Sequence, residues 1–441
     1  MTRKIRILLT DLSYLSHNYG AQGIAFPLIE KFNEHFNAEY TFVLSEKYRE
    51  EDLSFLGKYN FNFNITPVPD PLIALKKCGL SAYLPYWFIR FIKNWSTVPR
   101  KYVEERRCEL LVDILKKSDV VIDISGIEFI GSTFLKSFSS SARAVCFQYL
   151  AEKYGKPYFK YTKSYGPFPH KIFRFFVKKQ LDGLPFVFVR GEHNLKRLKK
   201  LNLKVPVYSF PDISIALVPE SREWAVDYIS KLGADPSKPV AGISPSSVIA
   251  GIKAEGRDST CGQNHIRLIK MAVDYFRQSG RQVLLIPHSI GDGRDMKVCD
   301  LALSKKIYTD MEKKTNVFII QDTGMTYAQA RALIGLLNFY VTGRYHSVSS
   351  ALSMAVPIVC LSWHIKYRDI MSQFLDDFLI VDCRKMGPEK SLSLIRSYDE
   401  NRCWFDREKV LTRKRELINQ IDRSVLILVN AIRDKGLLNN P

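Results

Sequence analysis

Acidic side chains are in short supply: 45 Asp and Glu stand against 65 Lys and Arg in 441 residues, a formal net charge of +20. Such an excess suits solvated faces, nucleic acid, anionic lipid or phosphorylated small molecules, and composition does not choose among them. Close cysteine pairs are missing too. The eight cysteines stand at 78, 108, 146, 261, 299, 360, 383 and 403, which excludes a zinc ribbon or a CxxC redox motif. Those in apolar strand positions, such as Cys360 in "IVCLSW", read as reduced core residues of a cytosolic protein. No run of about 18 apolar residues occurs, so no helix is expected to span a bilayer. The opening "MTRKIRILLTDLSY" has too short an apolar run for a signal peptide and leads straight into a strand.

What is present is core. A hydrophobic fraction of 46% and an aromatic fraction of 12% describe an ordinary globular chain, long enough for about two or three domains. Apolar strands alternate with amphipathic helical stretches in both halves. "IRILL" (5–9), "YTFVLS" (40–45), "DVVIDIS" (119–125), "PYFKYT" (157–162), "FVFVRG" (186–191) and "VPVYSF" (205–210) form a first series. A polar stretch near 219–239 then precedes "VAGISPSS" (240–247), "QVLLIPHS" (282–289), "NVFII" (316–320), "NFYVTG" (338–343) and "PIVCLS" (357–362). Strand alternating with helix implies parallel sheets covered on both faces. The expectation is two facing Rossmann-like domains, over 1–220 and 240–400, followed by a C-terminal helix in 401–441 that packs on the core. That helix carries Val410, Leu417, Ile421, Val425, Leu428 and Ile432 at helical spacing.

Two stretches break the alternation by mixing aromatics with cations. They are "LIALKKCGLSAYLPYWFIRFIKNW" (72–95), inside an insertion of about 70–107, and "HKIFRFFVKKQL" (170–181). One reading is an irregular buried insertion plus a core helix. The other is a surface resting on the interface of an anionic membrane.

In open parallel sheets, ligands bind beyond the carboxyl ends of the strands, so polar residues there are informative. The loop "SHNYGAQG" (16–23) resembles a helix-N-terminal anion site but lacks GxGxxG or GxxxxGK[ST] spacing. Arg190 ends "FVFVR", His288 ends "LLIPH", and Ser244, Ser246 and Ser247 follow "VAGI". Each has a structural reading as a loop tie, a satisfied core histidine or a helix cap. The strongest pair is Arg344 and His346 in "TGRYHSVSSALSMA". There the spacing predicts a loop from Gly343 to His346, a helix from about Ser347 and a cap by Ser347. A guanidinium, an imidazole and a helix N-terminus converging in the cleft between the domains would suit a phosphate or carboxylate.

The segment "TGRYHSVSSALSMAVPIVCLSWHIKY" resembles the signature of the polysaccharide pyruvyl transferase family, with R-x-H after a strand, a small-residue helix, Pro, a strand and a downstream Lys. "KSYGPFPHKIFRFFVKKQLDGLPFVFVRGEHNLKRLKKLNLKVPVYSFPDISIAL" is similar to the family's GPF segment, strand ending in Arg and proline–aspartate block, and "NYGAQG", "GISPSS" and "IPH" fall in the expected order. The chain departs from the family pattern at Ala21, where an acidic residue is frequent, and keeps only Gly126 of a glycine cluster. The resemblance implies a fold similar to the GT-B glycosyltransferase architecture. It implies transfer of pyruvate from phosphoenolpyruvate to two hydroxyls of a sugar, forming a ketal in a polysaccharide or lipid-linked glycan, with no metal and no cofactor. On that basis His346 is the expected acid–base group with His288 in reserve. Arg344, Arg190, Ser347 and Lys366 are expected on the donor, and Asn18, Gly20 and Ser246 on the acceptor, with 1–220 expected as the acceptor side and 240–400 as the donor side. The implied setting is cytoplasmic, with peripheral contact at the inner face of the membrane.

Two alternatives stand beside this. A nucleotide-sugar-dependent glycosyltransferase of the same architecture would also place an arginine and helix N-termini on phosphates. A basic nucleic-acid-binding protein would use the +20 charge, but the basic residues are spread over many segments and no RNA- or DNA-binding motif is present.

Overall fold

Strands buried on both faces read as continuous apolar runs, and the runs named above form two main parallel sheets, except that "FVFVRG" and "VPVYSF" pair with each other apart from them. The computed structural model describes residues 4–68, 98–130, 145–168, 170–251, 260–290, 299–364 and 366–436. The basic aromatic stretch 72–95 lies outside them. The chain divides into two compact units: Met1–Leu15, Leu28–Phe210 and Asp422–Pro441 in the first, Ser16–Pro27 and Pro211–Ile421 in the second.

In the first unit β1 (Ile5–Thr10), β2 (Ala38–Leu44), β3 (Phe63–Pro67), β4 (Val120–Asp123) and β6 (Tyr158–Lys160) pair in the order β3-β2-β1-β4-β6. Every pairing is parallel, with Leu9 beside Phe42 on one side and Ile122 on the other. β1 has β2 on one flank and β4 on the other, so the strand order reverses between β1 and β4 at their carboxyl ends. Two short parallel pairs accompany the sheet, β5 (Ile127–Glu128) with β7 (Ser164–Tyr165) and β8 (Val187–Arg190) with β9 (Val207–Phe210).

The second unit repeats the plan with six strands, β10 (Val240–Ser244), β11 (Gln282–Leu285), β12 (Val317–Ile319), β13 (Phe339–Thr342), β14 (Ile358–Ser362) and β15 (Ile380–Asp382). Their order is β12-β11-β10-β13-β14-β15, again all parallel, and it reverses between β10 and β13. Close packing behind β10 depends on Gly242, since a Cβ there would fall 2.3 Å from Leu337.

The C-terminal helix runs Arg407–Arg433, and Val410, Leu417, Ile421, Val425, Leu428 and Ile432 are all buried. Of the described cysteines, Cys108, Cys146, Cys261, Cys299, Cys360 and Cys383 are buried and Cys403 is exposed.

The helix after β13 differs from expectation. It spans Tyr345–Ser353 with Arg344 as N-cap, in place of a start at Ser347. The reason is local: Arg344 is the last extended residue (φ −109°, ψ 127°), and its carbonyl accepts the first helical hydrogen bond from Val348 N–H at 3.0 Å. Ser347 is therefore the third residue of the helix and does not cap it.

The 170–181 stretch is a helix, Lys171–Asp182, that buries Phe173, Val177 and Leu181. Its other face leaves Ile172 69% and Phe175 72% exposed.

Candidate active site

The residues around the start of the Tyr345–Ser353 helix all belong to the second unit. Arg344 leaves the end of β13 and meets Asp300, the first residue of helix Asp300–Thr309. Its Nε donates to Asp300 Oδ2 at 2.8 Å and its Nη2 to Oδ1 at 2.5 Å, while Nη2 also donates to Ser247 Oγ at 2.8 Å. The same buried carboxylate accepts backbone N–H bonds from Ser247 (2.8 Å), His288 (3.3 Å) and Ser289 (3.0 Å). One aspartate thus ties together the chain leaving β10, β11 and β13. A bidentate guanidinium–carboxylate pair fixes orientation as well as charge, so Arg344 is a held arginine.

His346 points elsewhere, as expected for side chains two apart at a helix start. Its Nε2 stands 3.8 Å from Asp212 Oδ2, and its Nδ1 abuts Gly20, where a Cβ would fall 2.6 Å away. Only glycine permits that approach. Asp212 is buried and caps the turn Ile213–Ala216 by accepting Ser214 N–H at 2.8 Å. That turn is fixed by Arg331, fully buried, which donates to the carbonyls of Ser214 (2.6 Å) and Leu217 (2.7 Å) and to Tyr327 Oη (3.2 Å). Tyr327 Oη in turn donates to the His346 carbonyl at 2.7 Å. Backbone and side-chain partner of His346 are therefore set by one buried arginine.

His288 is 4% exposed. Tyr19 and Tyr327 meet its ring edge-on at centroid distances of 5.2 and 5.8 Å. Burial, then the charges of His346, Arg344 and Arg331, hold its pKa well below the ordinary imidazole value, so it is neutral at physiological pH. Among the described residues neither ring nitrogen has a hydrogen-bond partner. A buried neutral imidazole with one donor and one acceptor unspent is suited to a polar ligand.

Lys366 opens the helix after β14, its Nζ 5.1 Å from the Trp363 ring, 5.4 Å from Tyr345 and 5.5 Å from Tyr367. Tyr367 Oη donates to the Gly343 carbonyl at 2.7 Å, which joins this group to the Arg344 turn. Asn18 caps helix Tyr19–Asn33 through Oδ1 to Ala21 N–H at 3.2 Å and bridges Ser289. Ser246 is buried, caps helix Ser247–Ala250 and donates its N–H to His265 Nε2 at 3.1 Å.

Arg190 belongs to the first unit. It is buried at the end of β8, with Nε donating to the Thr162 carbonyl at 3.1 Å and its amide to the Lys163 carbonyl at 3.0 Å. Gly191 follows at φ 74°, a left-handed turn that favours glycine.

The second unit thus gathers Asn18, Gly20, Ser246, His288, Arg344, His346, Ser347 and Lys366. Sequence reasoning missed Asp300 and Arg331, whose partners Arg344 and Leu217 lie 44 and 114 residues away. Asp212 had a signal in the proline–aspartate block, but nothing local marks it as the partner of His346.

The model of the family described as polysaccharide pyruvyl transferase matches residues 18–365. The chain belongs to that family. The match takes in every site residue named from sequence except Lys366, one position past its end. No curated protein matches the chain. Among solved structures it is similar to Anabaena HepE in complex with UDP-glucose, at 10% identity over 98% of this chain and 99% of that one, with a TM-score of 0.54. It is also similar to Methanocaldococcus jannaschii UDP-GlcNAc 2-epimerase in complex with UDP-GlcNAc and UDP, at 12% identity over 95% and 100%, with a TM-score of 0.55. The Rickettsia bellii UDP-N-acetylglucosamine 2-epimerase matches at 12% identity over 98% of each chain, with a TM-score of 0.53. At such identities the likeness shows the fold, α/β with parallel sheets and GT-B-like, as this pyruvyl transferase family member was expected to have.

Proposed function

We propose that the protein moves pyruvate from phosphoenolpyruvate onto two hydroxyls of a sugar, with His346 carrying the proton. The observation behind this reading is the group at the carboxyl ends of β10, β11, β13 and β14, where a held Arg344, a carboxylate-backed His346, Lys366 and a neutral His288 lie in one unit. In the first step a sugar hydroxyl adds to C2 of the donor, losing its proton as C3 gains one. In the second, another hydroxyl bonds to C2, the bond from C2 to the phosphate oxygen breaks, and that hydroxyl's proton leaves with phosphate. His346 delivers or accepts these protons, its Nε2 standing 3.8 Å from Asp212 Oδ2. Arg344 and Lys366 bind the donor's anionic groups, and His288 donates or accepts one neutral hydrogen bond. Arg190 is a candidate second guanidinium for the donor; Arg190→Lys, which loses the planar fork, tests it through donor KM. Asn18, Gly20 and Ser246 are the candidate acceptor contacts, and their capping and packing contacts hold them in the same unit.

The test of the reading is phosphate release from phosphoenolpyruvate against a panel of sugar acceptors. Transfer from a UDP-sugar with no phosphoenolpyruvate turnover would favour the nucleotide-sugar alternative, which the bound ligands of the structural neighbours support. We extend the proposal to peripheral contact with an anionic membrane, because Ile172 and Phe175 stand exposed on a helix that also presents Lys171, Arg174 and Lys179.

A further inference from the structure

The short helix Ser247–Ala250, which follows β10, carries groups that hold Arg344 in place. Ser247 Oγ accepts from Arg344 Nη2 at 2.8 Å, and Ser247 N–H donates at 2.8 Å to the Asp300 carboxylate that grips the same guanidinium. A helix of a single turn has little stability of its own. Its position must come from what packs against it.

Helix Thr260–Gln278 supplies that support, and all of these residues belong to the second unit. Gly262 lies directly on the end of the short helix, where a Cβ would collide with the Ala250 carbonyl oxygen. His265, three residues on and on the same face, reaches the start of the short helix. There His265 Nε2 accepts the Ser246 N–H at 3.1 Å. Gly343, in the turn before Arg344, also packs against it: a Cβ there would fall 2.5 Å from Ile249 and 3.1 Å from Ser246. The short helix is thus clamped at both ends by helix Thr260–Gln278 and packed against the turn that carries Arg344.

The chemistry of His265 suits this one bond. The imidazole is 1% exposed, and burial lowers its pKa to about 4, with Asp300 opposing the shift and Arg344 adding to it. It is neutral at physiological pH, and since Nε2 accepts, its proton sits on Nδ1. Nδ1 has no hydrogen-bond partner among the described residues. A buried donor left unpaired is costly, and a leucine here would only exchange one such donor, Nδ1–H, for another, Ser246 N–H. Stability alone gives little reason for a histidine at this position. We propose that His265 is a positioning residue for the site: by fixing Ser246 it fixes Ser247, and through Ser247 the guanidinium of Arg344. That Arg344 receives the donor rests on the pyruvyl-transfer reading; the clamp does not.

The test combines donor kinetics with hydrogen exchange on the full chain, for His265→Leu, His265→Gln and His265→Asn. Glutamine sets its Oε1 where Nε2 stands, while asparagine reaches only the position of Nδ1. The leucine and asparagine variants should raise the phosphoenolpyruvate KM by about 10-fold, the low end for loss of a residue that orients a binding group, and should change kcat less than KM. Glutamine should restore KM. With no substrate present, amide exchange in the peptide spanning Ser246–Ala250 should be faster in the leucine and asparagine variants than in wild type and His265→Gln. Exchange that does not separate glutamine from asparagine overturns the proposal, and so does a wild-type KM in the leucine and asparagine variants. Should His265→Leu not fold, the glutamine–asparagine pair decides alone. If the exchange pattern appears while the wild type releases no phosphate from phosphoenolpyruvate, the transfer reading fails and the clamp stands. Phosphate release without the exchange difference leaves the reverse.

Discussion

The carboxyl ends of the two sheets are topologically alike and chemically opposite. Each order reverses beside the first strand of its unit, at β1 and β4 in one and at β10 and β13 in the other. In the first unit the charges at that point are buried and balanced, with Lys160 and Lys163 against Asp123 and Glu128. In the second, one arginine is held by one aspartate, and beside it stand His346, backed by Asp212, and His288, whose ring nitrogens have no hydrogen-bond partner among the described residues. The same strand order therefore says where a site can be and not what it does. Side chains placed on the same scaffold decide the chemistry.

The largest effect expected from this comparison lies in the second unit. His346→Ala should lower turnover of phosphoenolpyruvate by about 10²–10⁴-fold, the range of positioned proton transfer. His346→Asn keeps a hydrogen-bonding group without a transferable proton, so it should bind donor and fail in the same measurement. Near-normal turnover in His346→Asn would reduce His346 to a positioning group and remove the contrast between the two sheets.

The next effect is on stability and belongs to the first unit. Lys160→Met leaves Asp123 and Glu128 with one ammonium between them in a site closed to water, and should cost about 3–5 kcal/mol. Pairing it with Glu128→Leu removes one charge of each sign and should recover most of the loss. Denaturant midpoints of the two variants check this. A harmless Lys160→Met would mean that the four groups are not all ionised.

Gly20→Ala should be smaller and more selective. The new Cβ would fall 2.6 Å from His346 Nδ1, so the imidazole must move. Alanine in a helix gains back about 1 kcal/mol over glycine, which offsets part of the strain. Turnover should fall by about 10²-fold, as for a catalytic group displaced by about an ångström, while the melting temperature changes little. A fall in stability with intact specific activity would make Gly20 a packing residue only.

These contrasts also mark what the sequence could and could not reveal. The strands of the second unit were readable because they are uninterrupted apolar runs bounded by Gly, Pro and Ser, and β13 ends within a residue of its expected limit. β3 and β15 escaped: "FNITP" is polar at alternate positions and lies in a stretch without recognisable motifs, and "IVD" is three residues long. Arg344, His346 and His288 were legible because strand ends are identifiable and ionisable residues there are unusual. Their carboxylate partners were not, because Asp300 and Asp212 reach them only through tertiary contact. The Lys160–Lys163 cluster was hidden for a related reason. In "PYFKYTK" the two lysines stand three apart beside aromatics, a spacing that marks neither as buried, and burial next to Asp123 and Glu128 is a property of the folded sheet.

The smallest effect concerns the outer face of helix Lys171–Asp182, where the first unit shows apolar side chains and cations together. Ile172 and Phe175 are three residues apart, so they share one face, and Lys171, Arg174 and Lys179 are exposed around them. Each cation near an anionic surface contributes about 1 kcal/mol, and two apolar side chains of this size add a modest insertion term. Because neither side chain packs on the core, Ile172→Ser with Phe175→Ser should change folding stability by no more than about 0.5 kcal/mol. Co-sedimentation with vesicles containing phosphatidylserine should weaken in the double variant, and it should weaken in the wild type when salt is raised. Wild-type co-sedimentation indifferent to both anionic lipid and salt would remove the electrostatic contribution. If the serine substitutions also left it unchanged, this helix would be a solvated surface.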